Sequence, residues 1–89
     1  MDKDTLLTNL DKIHTTELGI LRIKNNLKID VKDVIDYIKD KILKADSIVY
    51  KNGKNFYCMI DDIIITINSF NYSVITAHIK YWLRIICMI

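Results

Sequence analysis

The sequence contains no proline and only two glycines, and it has no low-complexity tract and no internal repeat. A flexible linker is thereby excluded, and 89 residues read as one domain spanning 1–89. Cysteine is equally scarce. Cys58 and Cys87 lie in apolar runs without CxxC spacing, so buried free thiols are expected rather than a disulfide or a metal pair. Neither sign of charge is in excess: a net charge of +2 names no polyanion partner by itself. No apolar run approaches the ~20 residues that span a bilayer. The start Met1-Asp2-Lys3-Asp4 lacks the basic-then-apolar layout of a signal peptide. A soluble, cytoplasmic, bacterial protein is expected, with no membrane span. Also missing are a glycine-rich phosphate loop, HExxH and a cysteine–histidine zinc spacing. Paired acids occur only at Asp61-Asp62, where a turn explains them. No metal and no cofactor is expected.

What is present is a hydrophobic half, 51% of residues, whose period changes near Ala45. Before it the spacing is helical. Leu6, Leu7, Leu10 and Ile13 form a short stripe between about Asp4 and His14. Thr15 or Thr16 caps a second helix with Glu17 in its first turn, and Leu18, Ile20, Leu21, Ile23 and Leu27 cover more than one of its faces. Gly19 in that first turn points to a close helix–helix approach or a bend. Asp30 starts a third helix with Asp33 at the capping-box position; Val31, Val34, Ile35, Ile38 and Ile42 face one way, and Lys32, Asp36, Lys39 and Asp40 the other.

After Ala45 the period is two. Ser47–Lys51 and Lys54–Ile60 flank Asn52-Gly53, a type I′ hairpin signal. Ile60 and Ile63 flank a second two-residue turn, and Ile63–Asn68 and Ser73–Ile79 flank a looser loop with Phe70, Asn71 and Tyr72. The fold class is therefore α+β: two to three N-terminal helices packed on one face of a four-stranded antiparallel β-meander. The helical part covers 4–44, the sheet 46–79, and an apolar C-terminal tail 80–89 follows.

Pairing the strands divides their residues between two faces. The expected partners are Val49 with Phe56, Ile48 with Tyr57, Cys58 with Ile65, Tyr57 with Thr66, Ile67 with Ile75, and Thr66 with Thr76. One face then carries Val49, Phe56, Cys58, Ile60, Ile63, Ile65, Ile67, Ile75, Ala77 and Ile79, all apolar, and the helices must cover it. The other carries Ile48, Tyr50, Asn55, Tyr57, Met59, Ile64, Thr66, Asn68, Val74, Thr76 and His78, without a single charge. Tyr57, Thr66 and Thr76 share a row there, with Tyr50, Asn55 and Asn68 one row away.

That uncharged face is the candidate site. His78 is the best candidate for acid–base work, since imidazole titrates near neutral pH; Tyr50 and Tyr57 offer a stacking platform; Lys51 and Lys54 flank the hairpin turn within reach of phosphate at the rim. Arg22, Lys24 and Lys28 extend a basic surface only if they face that rim. The plain alternatives are that Thr and Tyr are good strand formers on a half-exposed sheet, that a strand-end histidine is a structural hydrogen-bonding residue, and that the tail or another subunit covers the face. His14 is explained by capping or solvent contact.

The segments LLTNLDKIHTTELGILRIKNNL (Leu6–Leu27), KNGKNFYCMIDDIIITIN (Lys51–Asn68) and VITAHIK (Val74–Lys80) resemble an uncharacterised bacterial family of about 80 residues, a domain of unknown function. The resemblance is most specific at TTELG, RIKNNL and ITAH and implies no activity. Members of that family end soon after ITAH, whereas this chain continues as Tyr81-Trp82-Leu83-Arg84-Ile85-Ile86-Cys87-Met88-Ile89, an apolar end prone to docking. In layout the chain is more distantly similar to small, metal-independent barnase/RelE-like ribonucleases. That likeness implies His78 as acid or base, Thr66 and Thr76 orienting phosphate, Lys54 offsetting its charge and Tyr57 stacking a base, although the arginine or glutamate usual in such enzymes has no counterpart on the face.

Three functions follow as expectations: RNA processing through His78, Thr66 and Thr76; non-catalytic RNA binding through Tyr50, Tyr57, Lys54 and Asn68; and a protein-interaction or self-associating (homodimeric) module using the open face or residues 81–89.

Overall fold

The helices form where a capping side chain meets an apolar stripe. In the computed structural model, which describes residues 2–80, α1 runs over Asp2–Thr8 and a single 3-10 turn follows at Leu10–Lys12. The expected first helix to His14 is thus broken at Asn9, whose amide donates back to the Thr5 carbonyl at 2.8 Å. Helix α2 spans Glu17–Leu27 and is capped by Thr16, whose Oγ1 accepts the Gly19 N–H at 3.0 Å. Helix α3 spans Val34–Leu43. Its cap is Asp33, accepting the Asp36 N–H at 3.1 Å, and not Asp30; Ile29 and Val31 lie in the connection and pack on the core from there.

Four strands follow, β1 (Ile48–Asn52), β2 (Asn55–Ile60), β3 (Ile63–Asn68) and β4 (Val74–Ile79), in the order β1-β2-β3-β4, all antiparallel. Leu6 of α1, Ile23 and Leu27 of α2, and Val34, Ile38 and Ile42 of α3 are buried. They meet one sheet face, where Phe56, Cys58, Ile60, Ile63, Ile65, Ile67, Val74 and Ala77 are buried too. Helix α1 lies against β1, α3 against β2 and α2 against β4. Among the described residues of this α+β arrangement, no helix lies on the opposite sheet face. Cys58 is a free, buried thiol, and burial pushes it up to about 11, so thiolate scarcely forms near neutral pH.

Two registers differ from the sequence expectation. The first hairpin turns at Gly53-Lys54, with Asn52 paired to Asn55, so Val49 meets Cys58 and Ile48 meets Met59. Gly53 takes φ 64 while Lys54 does not enter the left-handed region, the requirement of a type II′ turn, with glycine first, rather than type I′. The slip is two residues, an even number, so every side chain keeps its face. The second turn is as expected: Ile60 pairs with Ile63, and Asp61 and Asp62 take φ 49 and 63, both positive as type I′ demands.

The second correction changes faces. Thr66 pairs with Thr76, but Ile67 pairs with Val74, and a β-bulge leaves Ile75 as the extra residue. Val74 is therefore the buried residue and Ile75 is 51% exposed, the reverse of strict alternation. The cause lies on the outer side of β4. His14 accepts the Val74 N–H at 2.8 Å and donates to the Tyr72 carbonyl at 3.2 Å, a parallel bridge that fixes how β4 enters the sheet. The bulge restores the pairing beyond it.

Candidate functional site

With the registers set, the open face resolves into three rows across the sheet. The first is Asn52, Asn55 and Asn68; the second is Tyr50, Tyr57, Thr66 and Thr76; the third is Ile48, Met59, Ile64 and His78. Tyr50 thus joins Tyr57 in one row rather than standing a row away, a consequence of the two-residue hairpin slip. Their rings stack at 5.4 Å between centroids and 22° between planes. Tyr50 lies on edge strand β1 and is 42% exposed, so its outer ring face is open. The face grades from amide groups at one end, through aromatic and hydroxyl groups, to apolar side chains at the other.

Of the residues proposed for catalysis, Thr66 and Thr76 stand directly opposite one another and His78 follows in the next row, across from Ile64. Thr66 is only 6% exposed, which leaves its hydroxyl poorly placed to orient a phosphate. Apart from the tyrosines, His78 is the one titratable side chain in the three rows, and its row neighbours are Ile64 and Met59. Acid–base cleavage needs a second proton-transfer group, and in these rows the other such groups are the Tyr50 and Tyr57 hydroxyls, one row from His78.

The residues proposed for nucleic-acid contact cluster at the asparagine end. Lys54 is exposed in the hairpin turn, and its carbonyl accepts both the N–H and the hydroxyl of Ser69 at 2.8 Å. The hairpin is thereby tied to the β3–β4 loop. Lys51, also exposed, does not join them: it pairs with Phe56 and so stands on the helix-covered face of the sheet. The Asn68 Oδ1 accepts from the N–H groups of Phe70 at 2.8 Å and Asn71 at 3.0 Å, an Asx turn that holds this loop; only its NH2 is left for a ligand. The loop also presents Phe70, 75% exposed, a side chain the sequence reading passed over as a loop residue. The signal was there: a large aromatic between Ser69 and Asn71 has no strand or helix period to bury it.

Arg22 does not extend this rim. It lies with Thr15, Gly19 and Asn26 along the flank of α2 beside β4, lining a groove of about 250 Å³ with Ser73–Ala77. Gly19 reflects neither a helix–helix approach nor a bend: a Cβ there would lie far inside van der Waals contact with the Thr15 hydroxyl, which itself reaches the Val74 carbonyl at 3.5 Å. His14 is a backbone bridge to β4, with Nδ1 3.0 Å from the Lys12 carbonyl. At the opposite end of the sheet, Asp61 Oδ2 accepts from Lys41 and Lys44, each at 2.7 Å. Hydrogen bonds from Lys41 first, then Lys44, hold its carboxyl down at about 2, and the same contact raises Lys41.

Among the described residues no three His, Cys, Asp or Glu side chains gather to hold a metal ion, and no helix is long and apolar enough to cross a membrane. The tail proposed as an interaction element, residues 81–89, lies outside the described residues, as does Cys87. A family model described as "Protein of unknown function (DUF3781)" matches residues 7–78. No curated protein and no solved structure matches the chain.

Proposed function

We propose that this chain, which belongs to the DUF3781 family, is a non-catalytic binding module that takes a short single-stranded RNA on its open sheet face. The observation that carries the reading is the Tyr50–Tyr57 stack in a face of neutral hydrogen-bonding groups, with every described helix on the other side. Aromatic side chains on an uncovered antiparallel sheet stack unpaired bases, and amide groups read their edges. The neutral rows suit uncharged bases. Phosphates are left to Lys54 at the rim, so one backbone contact is expected. Binding is therefore weak and only mildly salt-dependent, with a slope of log affinity against log salt of about −0.7.

Fluorescence anisotropy of a labelled oligouridine tests it. Tyr50→Ala should weaken binding roughly fivefold or more, from ~1–3 kcal/mol per stacked base, and Lys54→Ala should flatten the salt slope. Leu43→Ala, on α3, should change neither. Binding indifferent to Tyr50, or no binding at all, removes the reading. One observation favours a second: Ile48 is 62% exposed at the head of the apolar third row, as a protein-docking or self-associating surface would have it. Self-association weakened by Ile48→Ser but untouched by Tyr50→Ala would select that instead.

A further inference from the structure

The groove between α2 and β4 carries a charge that nothing near it balances. Among the described residues lining it, Arg22 is the only charged one. Its neighbours one turn away on the helix are Leu18, Gly19, Asn25 and Asn26, and the facing wall, residues 73–77, is uncharged as well. Arg22 forms no ion pair among the described residues. A guanidinium stays protonated and presents a planar fork of donors that grips an oxyanion at two points.

The walls of the groove are fastened to each other. The His14 carbonyl accepts the Val74 N–H at 2.8 Å, and the Thr15 hydroxyl reaches the Val74 carbonyl at 3.5 Å. The chain entering α2 is thereby held to the start of β4. Gly19 adds no Cβ, and the Thr15 hydroxyl stands where one would lie, which keeps that part of the lining polar. Thr16 Oγ1 accepts the Gly19 N–H at 3.0 Å, so its own hydrogen is left to donate. Two aliphatic side chains also line the groove and remain exposed: Leu18, and Ile75, which the β-bulge turns outward.

We propose that this groove binds a small aliphatic monocarboxylate, with its carboxylate on the Arg22 guanidinium and its alkyl part against Leu18 and Ile75. The charge count selects the head group. One cation balances one negative charge, whereas a phosphate group carries about −1.5 to −2 near neutral pH and would be left in excess. The lining selects the body, because no aromatic residue is there to stack a ring and the exposed apolar contacts are branched and aliphatic. At about 250 Å³ the groove is smaller than most ligand pockets, and its guanidinium is exposed, where ion pairs are weak. Affinity in the millimolar range is therefore expected. The site shares no residue with the Tyr50, Tyr57 and Lys54 contacts and stands independently of RNA binding.

A chemical-shift titration of the isotope-labelled full chain with 4-methylpentanoate, read at the Arg22 side-chain N–H and the Leu18 and Ile75 methyls, tests it. Saturable shifts are expected at these groups. Arg22→Gln should weaken affinity at least fivefold while leaving oligouridine binding unchanged; Arg22→Lys, which keeps the charge and loses the fork, should weaken it less. The uncharged 4-methylpentanamide and inorganic phosphate should each bind at least fivefold more weakly than the acid. Four results overturn the proposal. The first is no saturable shift at these groups, and the second is binding of the acid that is indifferent to Arg22→Gln. The third is amide or phosphate bound as tightly as the acid. The fourth is nuclear Overhauser contact between the Trp82 indole and the Leu18 and Ile75 methyls in the free chain, which would give the groove to residues 81–89.

Discussion

Neighbouring Val74 and Ile75 are chemically almost equivalent, yet the β-bulge gives them opposite fates, and their truncation tests the register of the edge strand. Val74 is 5% exposed. Val74→Ala removes two carbons, worth about 1.6 kcal/mol at ~0.8 kcal/mol per buried CH2, and the cavity left behind raises the loss to roughly 2–3 kcal/mol. Ile75 is 51% exposed, so half its surface is already in water and Ile75→Ala should cost less than about 1 kcal/mol, within the span of strand propensity. In urea, with a slope of about 1–1.5 kcal/mol per molar for a chain this small, Val74→Ala lowers the midpoint by roughly 2 M and Ile75→Ala by well under 1 M. Equal slopes for the two variants keep the comparison one of stability alone. Simple alternation through β4 requires the opposite order. If Ile75→Ala proves the costlier of the two, the bulge is misplaced, and the face assignment of Val74 and Ile75 and the groove beside α2 go with it.

Three further outcomes are expected. Asp61 titrates at about 2 when folded, below the ~3.9 of an unfolded aspartate. The unfolded chain therefore binds the extra proton, and the stabilisation from this carboxylate is complete above pH 4 and lost as pH falls from about 4 through 2; Asp61→Asn should flatten that part of the acid-denaturation profile, and an unchanged profile would contradict the pairing with Lys41 and Lys44. Gly19→Ala should fail to deliver the ~1 kcal/mol of added helix propensity in the native background but should deliver much of it in a Thr15→Ala background; additive effects in a double-mutant cycle would refute the contact between Thr15 and Gly19. Cys58, buried and with its thiol raised to about 11, should react with a maleimide only at the rate of opening of the fold; prompt labelling of the native protein at that position would contradict its burial.

Much of the fold was legible because parity is robust. A two-residue slip at Gly53-Lys54 changed who pairs with whom on β1 and β2 but moved no side chain to the other face. The bulge was not legible. Val74 and Ile75 carry equal hydrophobicity, no glycine marks the irregularity, and its cause is His14, about sixty residues away in sequence. The helix starts failed for a local reason: Asp30 and Asp33 are both good caps, and only packing of Ile29 and Val31 from the connection decides between them. For the site, the alternation exposed the uncharged face and its tyrosines, threonines and histidine. It left out what depends on neighbours: the burial of Thr66 in mid-row, the commitment of Asn68 to its own loop, and the exposure of Phe70.

The proposed docking of unpaired bases on the Tyr50–Tyr57 row is read directly by an amide chemical-shift titration of the isotope-labelled full chain with a short oligouridine. Saturable shifts should concentrate on Tyr50, Asn55, Tyr57 and Asn68, with smaller ones at Lys54 and Phe70, while Val34–Leu43 stays still. Shifts confined to the helices, or none at millimolar RNA, would contradict it.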